Sequence, residues 1–482
     1  MKEIDFEKFT NLLRQDGKIN NYIINLNEDD YLLFDNIFNR EIQITNCNFN
    51  NQSLKILGQY DETQNEELSK ELIFQNCSFK GLSIKNCGIL KLNIENININ
   101  CGDLEIEGCF LDKLNVFSLE NFSNKIFIKN SHILKKAIFS GINFAENGTL
   151  SIFESHFKNS TNFIESRFNN VDFTLSTFYG NFDFHKNRVL NNFNGYYFND
   201  CVFEKANFSR TTFSSTNEFT NCIFLKSTLF NEIGDYIKSS IRFENCSFEK
   251  LADFSYSSIY KIEIIEGVFE GMASFQNTKF DIAVIDKSTF GKGAFFDDIQ
   301  IKKIDDCERR TIRTIKQELQ KAENRIDFNR FRVYEFNAYR KDIRKKLAEF
   351  KKDKNHFYHR RREPIQLKRD LFILNLSDIA SEYGTDWKRA IKFTLIFGFV
   401  AFTLFFILEN LDKSFKLSNW EDFVYGYFRF FLITDFKNEY YKTGESVLKF
   451  NCFVSLLPFI IGKIAVAFGI YVMIQSFRKF KA

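Results

Sequence analysis

Phe193-Asn-Gly-Tyr-Tyr-Phe198-Asn-Asp-Cys201-Val-Phe203-Glu-Lys-Ala206-Asn-Phe208-Ser-Arg-Thr211-Thr-Phe213 puts a phenylalanine at every fifth position. Five residues rotate an α-helix by about 500°, roughly 140° past a full turn, so no helical face holds such a step. A chain that turns a corner every five residues does hold it. Each large residue then points inward from the middle of a short wall. The residue two before it points inward beside a corner and must be small, as Cys201, Ala206 and Thr211 are. The same step runs from Phe163 through Phe168 and Phe173 to Phe178, and from Phe275 through Phe280, Ile285 and Phe290 to Phe295.

A wider window recurs along the chain: a large apolar residue, any residue, usually Asn, Asp or Glu, then Cys, Ser or Thr, any residue, and Phe or Ile. It spans Ile44–Phe49, Phe74–Phe79, Ile84–Ile89, Ile128–Ile133, Phe198–Phe203, Phe219–Phe224, Phe243–Phe248 and Phe275–Phe280. Leu82/Leu104, Ile84/Ile106, Cys87/Cys109 and Leu92/Leu114 match at one constant shift. Self-similarity at a fixed period marks stacked coils. Small positions such as Cys222, Cys246, Ala273 and Thr278 make the cysteines packing residues of the walls.

These units resemble the pentapeptide-repeat family over roughly 40–300. The resemblance implies a right-handed parallel β-solenoid of quadrilateral type, with about four units per coil. The first half departs from that pattern, because Leu82-Ser-Ile84 and Leu104-Glu-Ile106 alternate like ordinary strands, so the early coils are expected to be less square. Coils of about 20–24 residues predict roughly eleven to thirteen turns, and a rod about 50–60 Å long at one strand spacing per coil. Exposed solenoid ends need caps. Ile4, Phe6, Phe9, Leu12 and Leu13 predict an amphipathic helix over 4–14 that closes the first coil. The expected organisation is an N-terminal cap over 1–30, the solenoid over 31–300, a basic helical connector over 301–388 and a transmembrane region over 389–482.

Composition supports a repeated unit: 62 Phe stand against 2 Trp, 3 Met and 2 Pro. The net charge of +3 conceals a division, with 29 basic and 40 acidic residues over 1–300 but 36 and 22 over 301–482. The opening Met1-Lys2-Glu3-Ile4-Asp5 carries acids and no apolar run, so no secretory signal is expected. The ten cysteines are then expected as free thiols in a reducing cytosol.

Beyond Phe296 the apolar spacing becomes helical, through Ile312, Ile315 and Leu319 and then Phe331, Tyr334 and Ile343, with a break near Asn324. This stretch is similar to the connector of bacterial membrane-anchored members of the same family. A basic tract follows, including Arg360, Arg361, Arg362, Lys368, Arg369, Lys388 and Arg389. Ala390–Leu408 and Cys452–Ile474 are each long enough to cross a hydrocarbon core, the second interrupted by Pro458 and Lys463. Lys388, Arg389 and Lys392 precede the first span, and Arg478, Lys479 and Lys481 follow the second. The positive-inside rule therefore puts both termini and the solenoid in the cytoplasm, which for a bacterial chain means anchoring in the inner membrane. Lys388, Arg389, Arg478, Lys479 and the Arg360–Arg362 run are expected to contact anionic headgroups.

Between the spans, Phe423–Ile433 is apolar but too short to cross, and reads as an interfacial aromatic belt or a re-entrant segment. Val424-Tyr425-Gly426-Tyr427 faintly echoes a potassium filter, although Phe428-Arg429 follows it where a filter needs successive pore-facing carbonyls. Lys463 is a functional candidate, since an ammonium near the bilayer centre costs at least about 2.5–3.5 kcal/mol. The structural alternative has it snorkel, or bind a carbonyl freed by Pro458.

Motifs for phosphate cradling, dinucleotide binding, serine nucleophiles and zinc proteases do not occur. His132, His156 and His185 fall at repeat positions predicted to face solvent, and His356 and His359 lie in the basic tract. No catalytic residue, cofactor or metal is expected. The expected function is a non-enzymatic, membrane-tethered scaffold binding an unidentified cytoplasmic protein or another copy of itself. The alternatives are a solenoid-gated oligomeric pore or membrane-perturbing effector, as in stress or phage defence, and more weakly a DNA-mimicking gyrase binder. Nucleic acid itself is not an expected partner.

Overall fold

A computed structural model of the chain describes residues 1–34, 41–60, 68–120, 122–189, 195–234, 239–352, 362–409, 420–434 and 453–478. Residues 198–213 show how the five-residue step folds. Phe198, Cys201, Phe203, Ala206, Phe208, Thr211 and Phe213 are all buried, while Asp200, Lys205 and Arg210 stand in solvent. Repeating this winding gives a parallel β-solenoid of about 12 turns over residues 2–301. One face is a thirteen-strand parallel sheet running from Leu32–Leu33 at one edge to Gln300–Ile301 at the other.

Equivalent residues stack from coil to coil. Phe198, Phe219 and Phe243 form one column, with ring centroids 4.6 and 5.0 Å apart. Phe203, Phe224, Phe248, Phe269 and Phe290 form a second at 4.6–5.2 Å, and Phe208, Phe230, Phe254, Phe275 and Phe296 a third at 4.8–5.3 Å. Offset stacking of this kind adds about 0.5–1.5 kcal/mol per pair to the burial of the rings. The small inward positions form a column of their own. The thiols of Cys201, Cys222 and Cys246 donate to the carbonyls of Phe173, Phe198 and Phe219 in the preceding coil.

The Asn, Asp or Glu of the recurring window has a backbone role: Asn46, Asn76, Asn86, Asn130, Asp200, Asn221, Asn245 and Asn277 adopt left-handed φ between 46° and 54°. Asparagine tolerates that region better than residues lacking a short polar side chain. The same side chains form outer ladders, Asn96 to Asn76 to Asn46 to Asn20 in one coil series and Asn245 to Asn221 to Asp200 in another.

The early coils are less regular, their repeat ranging from 20 residues between Leu72 and Leu92 to 30 between Ile42 and Leu72. Leu54 pairs with Leu82, 28 residues later, whereas Phe243 pairs with Ile264, 21 later. There Leu and Ile fill the interior in place of most of the Phe, including Leu72, Leu82, Ile84, Leu104 and Ile106.

At the N-terminus the expected helix over 4–14 divides. Lys2–Asp5 is a strand paired with Tyr22–Asn25, and helix α1 spans Phe6–Asp16, with Asp5 accepting from the Lys8 amide at 2.8 Å. Ile4 belongs to the strand because Asp5 supplies the N-cap. Phe9 and Leu13 are buried, and the Phe9 ring meets Phe49 of the first coils edge-on at 5.7 Å. At the other end, α2 (Arg309–Lys321) lays Ile312, Ile315 and Leu319 over the last coil. Thr311 Oγ1 accepts from the Ile285 amide at 2.9 Å, and Glu318 Oε2 from the Ala294 amide at 3.1 Å. Edge amides that a further coil would have paired are thus satisfied by side chains.

The chain divides into two units at Ala322/Glu323. Near the start of the second unit Asn324 Oδ1 accepts from the Asp327 amide at 3.1 Å and caps α3 (Arg325–Lys352). The unit continues with α4 (Arg362–Ser381), α5 (Trp387–Glu409), α6 (Trp420–Phe430) and α7 (Leu456–Arg478). Helices α3 and α4 pack through Val333, Ile343, Leu374 and Tyr383, and α4 meets α5 and α7 through Ala380, Ala390, Phe393 and Val472.

Candidate functional site

Helices α5 and α7 are 23 residues each, about 34 Å at 1.5 Å per residue, and both are long and apolar enough to cross a bilayer. Their packing surfaces combine large apolar side chains, Phe393, Phe402, Phe405, Phe459 and Val466, with small and polar residues at the closest approaches. At Gly469 a Cβ would stand 2.1 Å from Thr394 Oγ1, and at Gly462 one would stand 2.6 Å from both Ala401 Cβ and Phe430 Cζ. Thr394, Ser476, Glu409 and Lys463 are buried, while Leu395, Ile396, Phe399, Val400, Leu404, Ile460, Ile461 and Ile464 are exposed. Small residues at the contact and large apolar residues outside characterise helices that associate within lipid.

Lys463 is 5% exposed. Its Nζ donates to the Leu432 carbonyl at 2.7 Å and lies 5.0 and 5.6 Å from the Phe430 and Phe459 ring centroids. The carbonyl it holds follows α6, where the chain leaves helical geometry and its acceptors need partners. Pro458 is the third residue of α7, where its missing amide hydrogen is one a helix start leaves unpaired anyway. Lys463 thus holds the Leu432 carbonyl rather than one freed by Pro458.

Helix α6 is lodged against both apolar helices. Phe423, Tyr427, Phe430 and Phe431 pack on Phe402, Phe406 and Phe459, and the Tyr427 hydroxyl donates to the Leu395 carbonyl at 3.1 Å. Tyr425, Gly426, Tyr427 and Arg429 all lie in this helix. A filter presents successive carbonyls to a pore, whereas a helix commits them to its own hydrogen bonds, so the resemblance of 424–427 to a filter does not carry into the structure. Tyr425 is exposed and Arg429 half-buried. Near the other end of the helix pair, the Ser455 hydroxyl donates to the buried Glu409 carboxylate.

Among the expected headgroup contacts, Arg389 reaches Asp386 at 3.4 Å, Glu382 at 3.7 Å and Asp378 at 4.0 Å, locking the turn between α4 and α5. Lys388 lies over the Trp387 ring at 5.8 Å, and Trp387 stacks on Phe477 at 5.7 Å. Arg478 ends α7 in solvent and Arg362 begins α4. Arg360, Arg361 and Lys479 lie outside the described residues, as do His356 and His359.

In the solenoid, His132 and His156 are half-buried rather than fully solvated, their rings 4.9 Å apart in a column that continues to Thr177. Burial raises the thiol pKa of Cys77 to about 12 and pushes that of Cys222 well above its ordinary range. Such thiols stay protonated and unreactive. Cys101 is exposed. Ile223 and Val268, in register on one outer wall, and Leu251 and Met272, in register around the next corner, are exposed apolar residues on the later coils. Among the described residues no group of three or more His, Cys, Asp or Glu gathers as metal ligands would.

Sequence reasoning treated α4 as part of a basic tract and missed its apolar content. Ile365, Phe372, Ile373 and Ile379 are exposed on it, and their helical spacing was the available signal. The fold and the helix pair define a β-solenoid protein with two helices suited to crossing a membrane. No protein family, curated protein or solved structure matches the chain.

Proposed function

We propose that this chain is a pentapeptide-repeat-type scaffold tethered in a bacterial inner membrane by α5 and α7, with solenoid and termini cytoplasmic. The observation that carries the reading is the change along the chain in where polar and exposed apolar side chains lie. Over 198–296 the interior is rings and small residues with charged side chains outside, whereas between α5 and α7 Lys463, Glu409, Thr394 and Ser476 are buried among Phe393, Phe402, Phe405, Phe459 and Val466 while the outsides are Leu, Ile, Val and Phe. The first distribution suits water and the second suits hydrocarbon. The five-residue alternation of buried and exposed positions supports the family reading.

A solenoid closed by α1 and α2 offers its ladder faces for contact and resists end-to-end addition. Ile223, Val268, Leu251 and Met272 are among the exposed apolar residues of those faces and favour a protein partner over nucleic acid. Mixed ion pairs along the walls, such as Lys85–Glu107 at 2.7 Å and Arg242–Glu244 at 2.7 Å, argue against a phosphate-like acidic ladder and so against DNA mimicry.

A second reading, an oligomeric pore, draws on α6, a short helix held between two spans by Lys463. Planar-bilayer conductance of the purified full chain separates the two. The scaffold predicts no conductance above that of empty bilayers. Unitary conductance that disappears in Lys463→Leu establishes the pore and overturns the scaffold.

A further inference from the structure

We propose that α4 lies in the acyl–headgroup boundary of an anionic cytoplasmic leaflet through its exposed apolar and basic side chains, an inference that rests on α5 crossing the bilayer. At about 100° per residue, Ile365, Phe372 and Ile379 fall within roughly 40° of one another. Lys368 and Arg369 flank that stripe, and Ile373 stands beyond Arg369. Phe372 is 67% exposed and Ile379 66%, above the 45–61% of the outward apolar residues of α5 from Leu395 to Ile407. A shallow hollow of about 420 Å³ is lined by Ile365, Lys368, Arg369, Phe372 and Ile373.

Charge is divided around the same helix. Its carboxylates, Glu363, Asp370 and Asp378, sit on the opposite side by helical angle. Asp370 accepts from the Tyr339 hydroxyl of α3 at 3.3 Å, and Asp378 is paired with Arg340 of α3. The exposed stripe thus presents apolar side chains and cations, the complement of an anionic monolayer.

The depth also fits. Left-handed Glu382, Tyr383 and Gly384, with φ of 50°, 57° and 80°, reverse the chain directly into Trp387 at the start of α5. Arg389 neutralises the acids of that turn. The inner side of α4 is occupied by α3, and α5 and α7 cover Leu376 and Ala380 towards its end, which leaves Ile365, Phe372, Ile373 and Ile379 facing away from the bundle.

The test uses the full chain, with Cys101 and Cys452 replaced by serine, reconstituted in phosphatidylcholine–phosphatidylglycerol vesicles. Single nitroxides are placed at Phe372→Cys, Ile379→Cys, Glu363→Cys and Leu404→Cys, and collision with oxygen is compared with collision with a water-soluble nickel chelate. The oxygen-to-nickel ratio is expected to be several-fold higher at 372 and 379 than at 363, and highest at 404. Lipid exposure at 404 with water exposure at 372 and 379 overturns the assignment of α4 alone. Water exposure at 404 overturns the spanning reading itself. Dipolar broadening between nitroxides at 372 shows a second copy on the stripe, and equal immersion in phosphatidylcholine alone shows that Lys368 and Arg369 read no headgroup charge; either result overturns the proposal.

Discussion

Phe219 and Leu404 are both large apolar residues in regular structure, yet Phe219 is fully buried in the solenoid and Leu404 is 51% exposed on α5. Around Phe219 the polar groups lie outside, on the ladder walls. Around Leu404 they lie inside, at Thr394, Glu409 and Lys463. Backbone hydrogen bonding is satisfied in both places, by coil-to-coil ladders in one and within the helix in the other. On the proposed membrane reading, what differs is the solvent each region is built for. A charge buried in the helix pair is tolerable because Lys463 has the Leu432 carbonyl and two aromatic faces within reach.

That contrast is most sharply tested by truncating both residues. Phe219→Ala removes a ring stacked on Phe198 and Phe243 and is expected to cost about 3–5 kcal/mol of local stability, read by hydrogen exchange across residues 196–254. Leu404→Ala, on the outward surface, is expected to change detergent-phase stability by no more than about 0.5 kcal/mol. Similar losses at both sites would abolish the distinction.

Alkaline titration comes next. The Cys77 thiol ionises near 9 when unfolded and only at about 12 when folded, because burial disfavours the thiolate. Its stabilising contribution is complete below pH 9 and is lost as pH rises towards 12, by about 1.4 kcal/mol per unit. Cys222 shifts in the same direction for the same reason. Cys77→Ala should therefore flatten the loss of solenoid stability between pH 9 and 12, monitored by far-ultraviolet circular dichroism; an unchanged slope would show that this thiol does not contribute.

Lys463→Ala leaves the Leu432 carbonyl without its cation and should destabilise the helix pair by about 1–3 kcal/mol, seen as a lower melting temperature in detergent. A smaller effect is expected at the corners. Asn245→Ala places a Cβ without a polar partner at φ 53° and should cost about 1–2 kcal/mol, whereas Asn245→Gly should cost less. Reversal of that order in denaturant unfolding would contradict the corner geometry.

The five-residue step made the solenoid legible because a repeated Phe constrains the winding wherever it occurs. The corner role of Asn76 or Asn245 was less legible, since a left-handed φ leaves no periodicity of its own. The division of residues 4–14 between strand and helix turned on one capping residue, Asp5. In the helical part, length and apolarity revealed α5 and α7, but the partner of Lys463 lies 31 residues away in sequence and follows a helix that reads as a loose aromatic run. The stripe on α4 was masked by the lysines and arginines around it.

The central claim, a water-facing solenoid on a two-helix membrane tether, is tested most directly by sidedness. Cys101 is exposed on the solenoid, and Ser414→Cys lies between the two apolar helices. In sealed vesicles of uniform orientation, with Cys452 replaced by serine, a membrane-impermeant maleimide should reach these two positions from opposite sides. Labelling of both from the same side would contradict the account.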